Sequence, residues 1–279
     1  MSDTDLSRAV EAFAARVIDI PDAAMERDWP WRSKETDIRW GFYRTYEELR
    51  DLAATIDAQR AAKGPRQTFA QRALAVYGVA YRDLKALLLG LDEGELDRAP
   101  AEGEWPLRTV FEHLMRAERR FLAETVFAVG RHRRGEPVQP MTEELFQPYV
   151  GDGDALGTLL QIVASYDALH QQALDKLSGL SDEDVAAPMI WWYEADVRFQ
   201  LFRFDAHLRE HTIQAEKVLE AIRPRPSDAL RTLRLTYRAL GSVEGALLGA
   251  SSTLADRRSE TAGAIAVRTQ ELLNAADRD

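Results

Sequence analysis

Apolar residues along this chain recur with the period of a helix almost everywhere. In residues 5–18, Leu6, Val10, Phe13, Ala14 and Val17 fall on one stripe, which predicts a helix with a single buried face. Residues 43–62 read as a second helix, stopped by Gly64-Pro65. Longer helices are predicted over 67–91, from Pro106 to about Arg131, over 154–177 and over 196–222. Pro106 suits a first helical turn, where its missing N–H is not needed. The run Arg131-His132-Arg133-Arg134-Gly135 places cations and then a glycine at a helix end, so it reads as a stop signal rather than an anion site. Arg223-Pro224-Arg225-Pro226 closes the last of these long helices, and 227–276 reads as two more, separated near 250–254.

The connections are equally distinct. Residues 21–42 hold Trp29, Trp31 and Trp40 with two prolines and Gly41, and predict an ordered but irregular segment. A long loop rich in Pro, Gly and Glu follows the basic run. Residues 178–195 form a connection with Pro188 and the run Met189-Ile190-Trp191-Trp192-Tyr193. No stretch alternates β-branched residues, so the expected class is all-α. The four long helices within 67–222, with one long crossover between the second and third, match a four-helix bundle. Residues 1–66 and 223–279 are then N-terminal and C-terminal helical extensions.

Composition narrows the chemistry. The 279 residues include no cysteine, which removes disulfides, thiolate nucleophiles, Cys-ligated zinc and iron–sulfur clusters. Lys plus Arg number 36 against 46 Asp plus Glu, a net charge of −10 that argues against a nucleic-acid partner. No apolar run is long enough to span a membrane. Asp3 and Asp5 stand where a signal peptide carries Lys or Arg, so a mature, cytoplasmic protein is expected. Glycine-rich phosphate loops, dinucleotide fingerprints and serine-hydrolase elbows are missing from the sequence.

The five histidines carry what chemistry the sequence offers. His207 and His211 form H-x-x-x-H in the helix predicted over 196–222. At 100° per residue they point the same way, roughly 6 Å apart along the axis, a spacing that can chelate one metal ion. Gln200, Phe204, Gln214 and Val218 lie near the same stripe, so this face is largely apolar and looks inward. Leu208 follows His207, so the general-base glutamate of H-E-x-x-H zinc proteases is absent. Gln214, three residues after His211, is placed to orient an imidazole. His113 stands among Val110, Leu114 and Ala117, where it reads equally as a core histidine or a ligand. His170 reads as a surface or half-buried residue and His132 as solvated. Glu118 lies 140° around the helix from His113 and Glu210 about 100° from His211, so neither reads as a ligand. Arg116 is either a surface residue or a contact for an anionic substrate. Trp191, Trp192, Tyr193 and Glu194 read as an aromatic plug on the bundle end, or as a pocket wall with Tyr193 or Glu194 facing substrate.

Trp105, then a helix with His113 eight residues on and Glu118 beyond it, then His207-x-x-x-His211 in a late helix, resembles the DinB-like superfamily. The resemblance covers roughly residues 67–222. It implies an up-down-down-up four-helix bundle whose His113, His207 and His211 bind a divalent metal and leave coordination positions open. Three imidazoles suit Zn, Ni, Fe or Mn. Enzymatic members use such a metal to activate a low-molecular-weight thiol in S-transfer or in maleylpyruvate isomerisation. The resemblance thus implies a metalloenzyme that turns a thiol cosubstrate or water on a small-molecule substrate, as an S-transferase or a hydrolase, and a homodimer. The other reading is a non-catalytic protein of the same fold, metal-binding or oligomerising, whose extra helices serve partner binding.

Overall fold

In the computed structural model, residues 4–151, 155–190 and 194–278 are described, and they form helices and one short hairpin. In chain order the helices are α1 (Thr4–Val17), α2 (Ile38–Lys63), α3 (Phe69–Leu87), α4 (Leu107–Arg133), the single turn α5 (Glu143–Phe146), α6 (Leu159–Leu177), α7 (Val197–Ile222), α8 (Asp228–Leu247) and α9 (Ala255–Ala276). Strands β1 (Pro188–Ile190) and β2 (Glu194–Asp196) pair antiparallel just before α7. The expected all-α class holds. The hairpin escapes a reading by periodicity because three-residue strands are too short to show alternation.

Helix starts are set by side chains that accept the unpaired N–H groups of a first turn. Asp37 accepts from Trp40 N at 2.7 Å and opens α2. Thr158 and Gln161 form a reciprocal capping box at the start of α6, so that helix begins at Leu159 rather than near 154. α2 begins five residues before the expected 43 and runs through Gly41. There the absent side chain has a use: a Cβ on Gly41 would stand 2.4 Å from Leu272 Cδ2. At the end of α4, Gly135 takes φ +66° and the basic residues resolve into bonds within the protein. Arg133 grips Asp184 with two bonds of 2.7 and 2.8 Å. Arg134 pairs with Glu136 at 2.6 Å, and buried Arg131 donates to the carbonyls of Glu136 and Pro188.

The chain divides into two compact units. One is built from residues 1–66, 82–90 and 223–279, so the two terminal segments form a unit together. In it α1 packs on α9 and α2 on α8, around a core that includes Phe13, Phe42, Leu49, Leu233, Leu240 and Leu272. Among its buried charges is Asp83, which accepts from Arg234 and Arg238 at 2.6 Å each. The second unit is built from residues 67–81 and 91–222. Here α4 packs against α6 and α7. Helix α3 contributes to both units, changing from one to the other between Tyr81 and Arg82.

The interior of the second unit is unusually polar for a bundle core. Glu118 is 1% exposed. It accepts hydrogen bonds from the Tyr77 hydroxyl at 2.6 Å and the Tyr166 hydroxyl at 2.8 Å. Burial outweighs these two donors and pushes the Glu118 carboxyl up to about 7. His170, expected at the surface or half-buried, is buried and lies flat on the Tyr81 ring with centroids 3.7 Å apart. An aromatic layer of Tyr77, Phe204 and Phe121, with successive centroids 5.3 and 5.5 Å apart, lies between this cluster and the histidines of α7.

Candidate metal centre

Two helices bring three imidazoles together. His113 comes from the second turn of α4, and His207 and His211 come from successive turns of α7. The separation of the last two is fixed by the helix rise. The approach of His113 is fixed by the packing of α4 on α7, which no local spacing encodes. Ring centroids are 4.4 Å apart for His207 and His211, 4.5 Å for His113 and His211, and 5.1 Å for His113 and His207. One ligand nitrogen from each ring lies within 4.8 Å of the other two. The Nε2 atoms of His113 and His207 are 3.1 Å apart. Two nitrogens each about 2.05 Å from one ion stand about 2.9 Å apart at a right angle and about 3.3 Å apart at a tetrahedral angle, so that spacing fits a shared ion.

The protonation states suit metal binding. Burial, then the neighbouring His211, His113 and Arg203, holds His207 down to about 3. Burial, then His211 and Arg116, lowers His113 against the opposing pull of Glu210. His113 and His207 are therefore neutral at pH 7 and present lone pairs. Gln214 Oε1 lies 2.7 Å from His211 Nδ1, and an amide oxygen can only accept. That bond places the proton on Nδ1 and leaves Nε2 of His211 to act as a ligand. The ring of Trp105 stands 5.4 Å from that of His113. Glu118 is turned into the core, and Glu210 is exposed.

A cavity of about 560 Å³ opens beside the centre, with His113 and His207 in its wall. Its apolar lining comes from Phe121, Met141, Phe146 and Ile190. Its polar lining comes from Arg116, Arg120, Glu124, Glu143 and Arg203. Met141 and Phe146 belong to the long crossover, where they pack on Ala123 of α4. Sequence reasoning missed this contribution because the crossover has no periodicity to read. It also passed over Arg203, although that residue sits four positions before His207 on the same helix face.

The expected pocket residues are distributed differently. Gln214 touches the triad through His211 and lines a smaller cavity of about 290 Å³ with Trp105 and Lys217. Glu194 is exposed on β2 and lines a separate cavity of about 680 Å³ with Met189 and Phe199. Trp191, Trp192 and Tyr193 lie outside the described residues.

The comparisons with known proteins agree with this geometry. The model of the DinB superfamily matches residues 77–215, a stretch that contains His113, His207, His211 and Gln214. Searches of curated proteins and of solved structures return no match. The helices, the three converging histidines and the family match lead to one conclusion: this chain belongs to the DinB superfamily, through a domain at residues 77–215.

Proposed function

We propose that this protein is a metalloenzyme in which His113, His207 and His211 hold one divalent ion, Zn, Ni, Fe or Mn. The observation that carries the reading is the meeting of three imidazoles within 4.8 Å, two of them in the wall of a 560 Å³ cavity. Three protein ligands leave coordination positions for water or substrate, as catalytic sites do and closed structural sites do not. A bound ion of this kind would lower the pKa of a coordinated water or thiol toward neutrality. The chain's own part is to keep His113 and His207 neutral by burial, fix the tautomer of His211 through Gln214, and exclude water with Phe121, Met141 and Phe146. The chemistry we favour is transfer of a low-molecular-weight thiol to a small molecule, with hydrolysis as its counterpart when water takes the thiol's place.

The test is elemental analysis of protein purified without a metal-affinity tag, beside His207→Ala/His211→Ala. About one ion per chain, lost in the double variant, is the expected result, followed by thiol-dependent turnover with that metal. A wild type that takes up none of the four metals would end the reading. Metal without turnover of any thiol or hydrolytic substrate would favour a non-catalytic metal-binding bundle instead.

A further inference from the structure

The cations in the cavity wall are not equivalent. Arg120 is held by both acidic residues of the wall: its Nε donates to Glu124 at 2.7 Å, its Nη1 to Glu143 at 2.6 Å, and its guanidinium lies 4.9 Å from the centre of the Phe146 ring. Arg203 has no acidic partner among the described residues, although it is half-buried and its Nε is shielded from solvent without a hydrogen bond. A buried guanidinium donor left unpaired is costly, and in a cavity wall a ligand oxygen can complete it. Arg116, exposed at the same wall, likewise has no ion pair among the described residues.

The charge of the surroundings points the same way. The three imidazoles bring no negative charge to the centre, and the two carboxylates of the wall, Glu124 and Glu143, each accept one bond from Arg120, while Glu124 Oε2 is buried without a partner. Glu210, the acidic residue that acts on His113, is exposed. Arg116, Arg120 and Arg203 stand against Glu124 and Glu143, so the wall carries an excess of one positive charge in a cavity that also holds Phe121, Met141, Phe146 and Ile190. An ion in the triad would add to that charge. A guanidinium fork beside an apolar wall matches an oxyanion attached to an apolar body.

We propose that Arg203 is the anchor of a binding site for small organic acids, holding the ligand's oxyanion beside the three-histidine centre while its apolar part lies on Phe121, Met141 and Phe146. This names the substrate class of the cavity described above and rests on that reading for its connection to catalysis. The binding itself rests on Arg203 alone, so it can be tested with or without metal.

The experiment is isothermal calorimetry with benzoate as probe and benzamide as its uncharged counterpart. Both are titrated into wild type, Arg203→Met and Arg203→Lys, each in zinc-loaded and metal-stripped form, with circular dichroism to confirm folding. Benzoate is expected to bind wild type and to lose about ten- to a hundredfold in affinity in Arg203→Met, the scale of one charge-assisted hydrogen-bonded contact. Arg203→Lys keeps the charge without the fork and should fall between the two. Benzamide should distinguish the three proteins by less than about twofold, since it carries no charge for the guanidinium to read. Equal benzoate affinity in wild type and Arg203→Met, or no benzoate binding to any form, overturns the proposal. If the protein takes up none of the four metals but benzoate still depends on Arg203, the metal reading fails and this one stands. If zinc binds and benzoate ignores Arg203, the reverse holds.

Discussion

Glu118 gives the sharpest prediction. Its carboxyl rises from 4.5 to about 7 in the fold, because burial disfavours the anion more than the hydroxyls of Tyr77 and Tyr166 favour it. Below about pH 4.5 the carboxyl is protonated in both folded and unfolded chains, and the fold carries no penalty. Between 4.5 and about 7 the unfolded chain gives up the proton while the folded one keeps it, so stability falls as pH rises. Above about 7 both forms are ionised and the penalty stays constant. At 1.36 kcal/mol per pH unit, the loss across that window is about 3 kcal/mol. Glu118→Gln removes the titration and keeps the shape. Its amide oxygen can accept from one tyrosine, and its NH₂ can donate to the other phenol once that hydroxyl turns. Chemical denaturation of both proteins from about pH 4 to about pH 8 gives a difference in which every other titration cancels. The wild type should lose about 3 kcal/mol relative to the variant over this range. Difference infrared spectroscopy of the carboxyl band should locate the transition near 7. Parallel stability curves for the two proteins would refute the reasoning, because they would mean that Glu118 titrates alike in folded and unfolded chains.

Three further outcomes test other parts of the structure. Gln214→Ala should weaken zinc binding about tenfold or more by releasing the tautomer of His211, measured by chelator competition; unchanged affinity would remove the positioning role. Asp83→Ala leaves Arg234 and Arg238 without their shared carboxylate and should cost about 2–3 kcal/mol at neutral pH in denaturant titrations. The contribution of Asp83, whose carboxyl is held below its ordinary 3.8, should be present above that pH and fade as pH falls past it, so wild type and variant converge in acid. Phe204→Ala opens the aromatic layer beneath His207 and should cost about 3–5 kcal/mol, read by the same titrations, whereas an exposed-site control, Phe202→Ala, should cost under about 1 kcal/mol.

The sequence showed some of this and hid the rest for identifiable reasons. The His207 and His211 pair was legible because a four-residue spacing stacks two side chains whatever surrounds them. Gln214 was legible by the same arithmetic from His211. His113 was not: its own flanks suit a core histidine equally well, and only the family resemblance joined it to the other two. The start of α2 was misplaced because Gly41 reads as a breaker, when the close approach of Leu272 explains it inside a helix. Met141 and Phe146 reach the cavity from the long crossover and its single turn α5, which pack on Ala123 in a way no local pattern reveals. Glu118 was set aside correctly as a ligand, but its two tyrosine partners come from α3 and α6, and such a meeting is decided by packing.

The triad draws on only two helices, and its members are far apart in sequence. His113 and His207 are separated by 94 positions, yet their Nε2 atoms are 3.1 Å apart. An ion gripping both rings would act as a reversible cross-link, pinning shut a loop that comprises most of the DinB domain. By the chain-entropy relation for cross-links, closing a loop of that length removes about 4.5 kcal/mol of freedom from the unfolded chain. The adjacent pair on α7 could still catch an ion after unfolding, but without its third ligand. The melting temperature should therefore climb with metal concentration and drop on chelation, so that the supply of the ion would govern how long the protein survives as well as what it does.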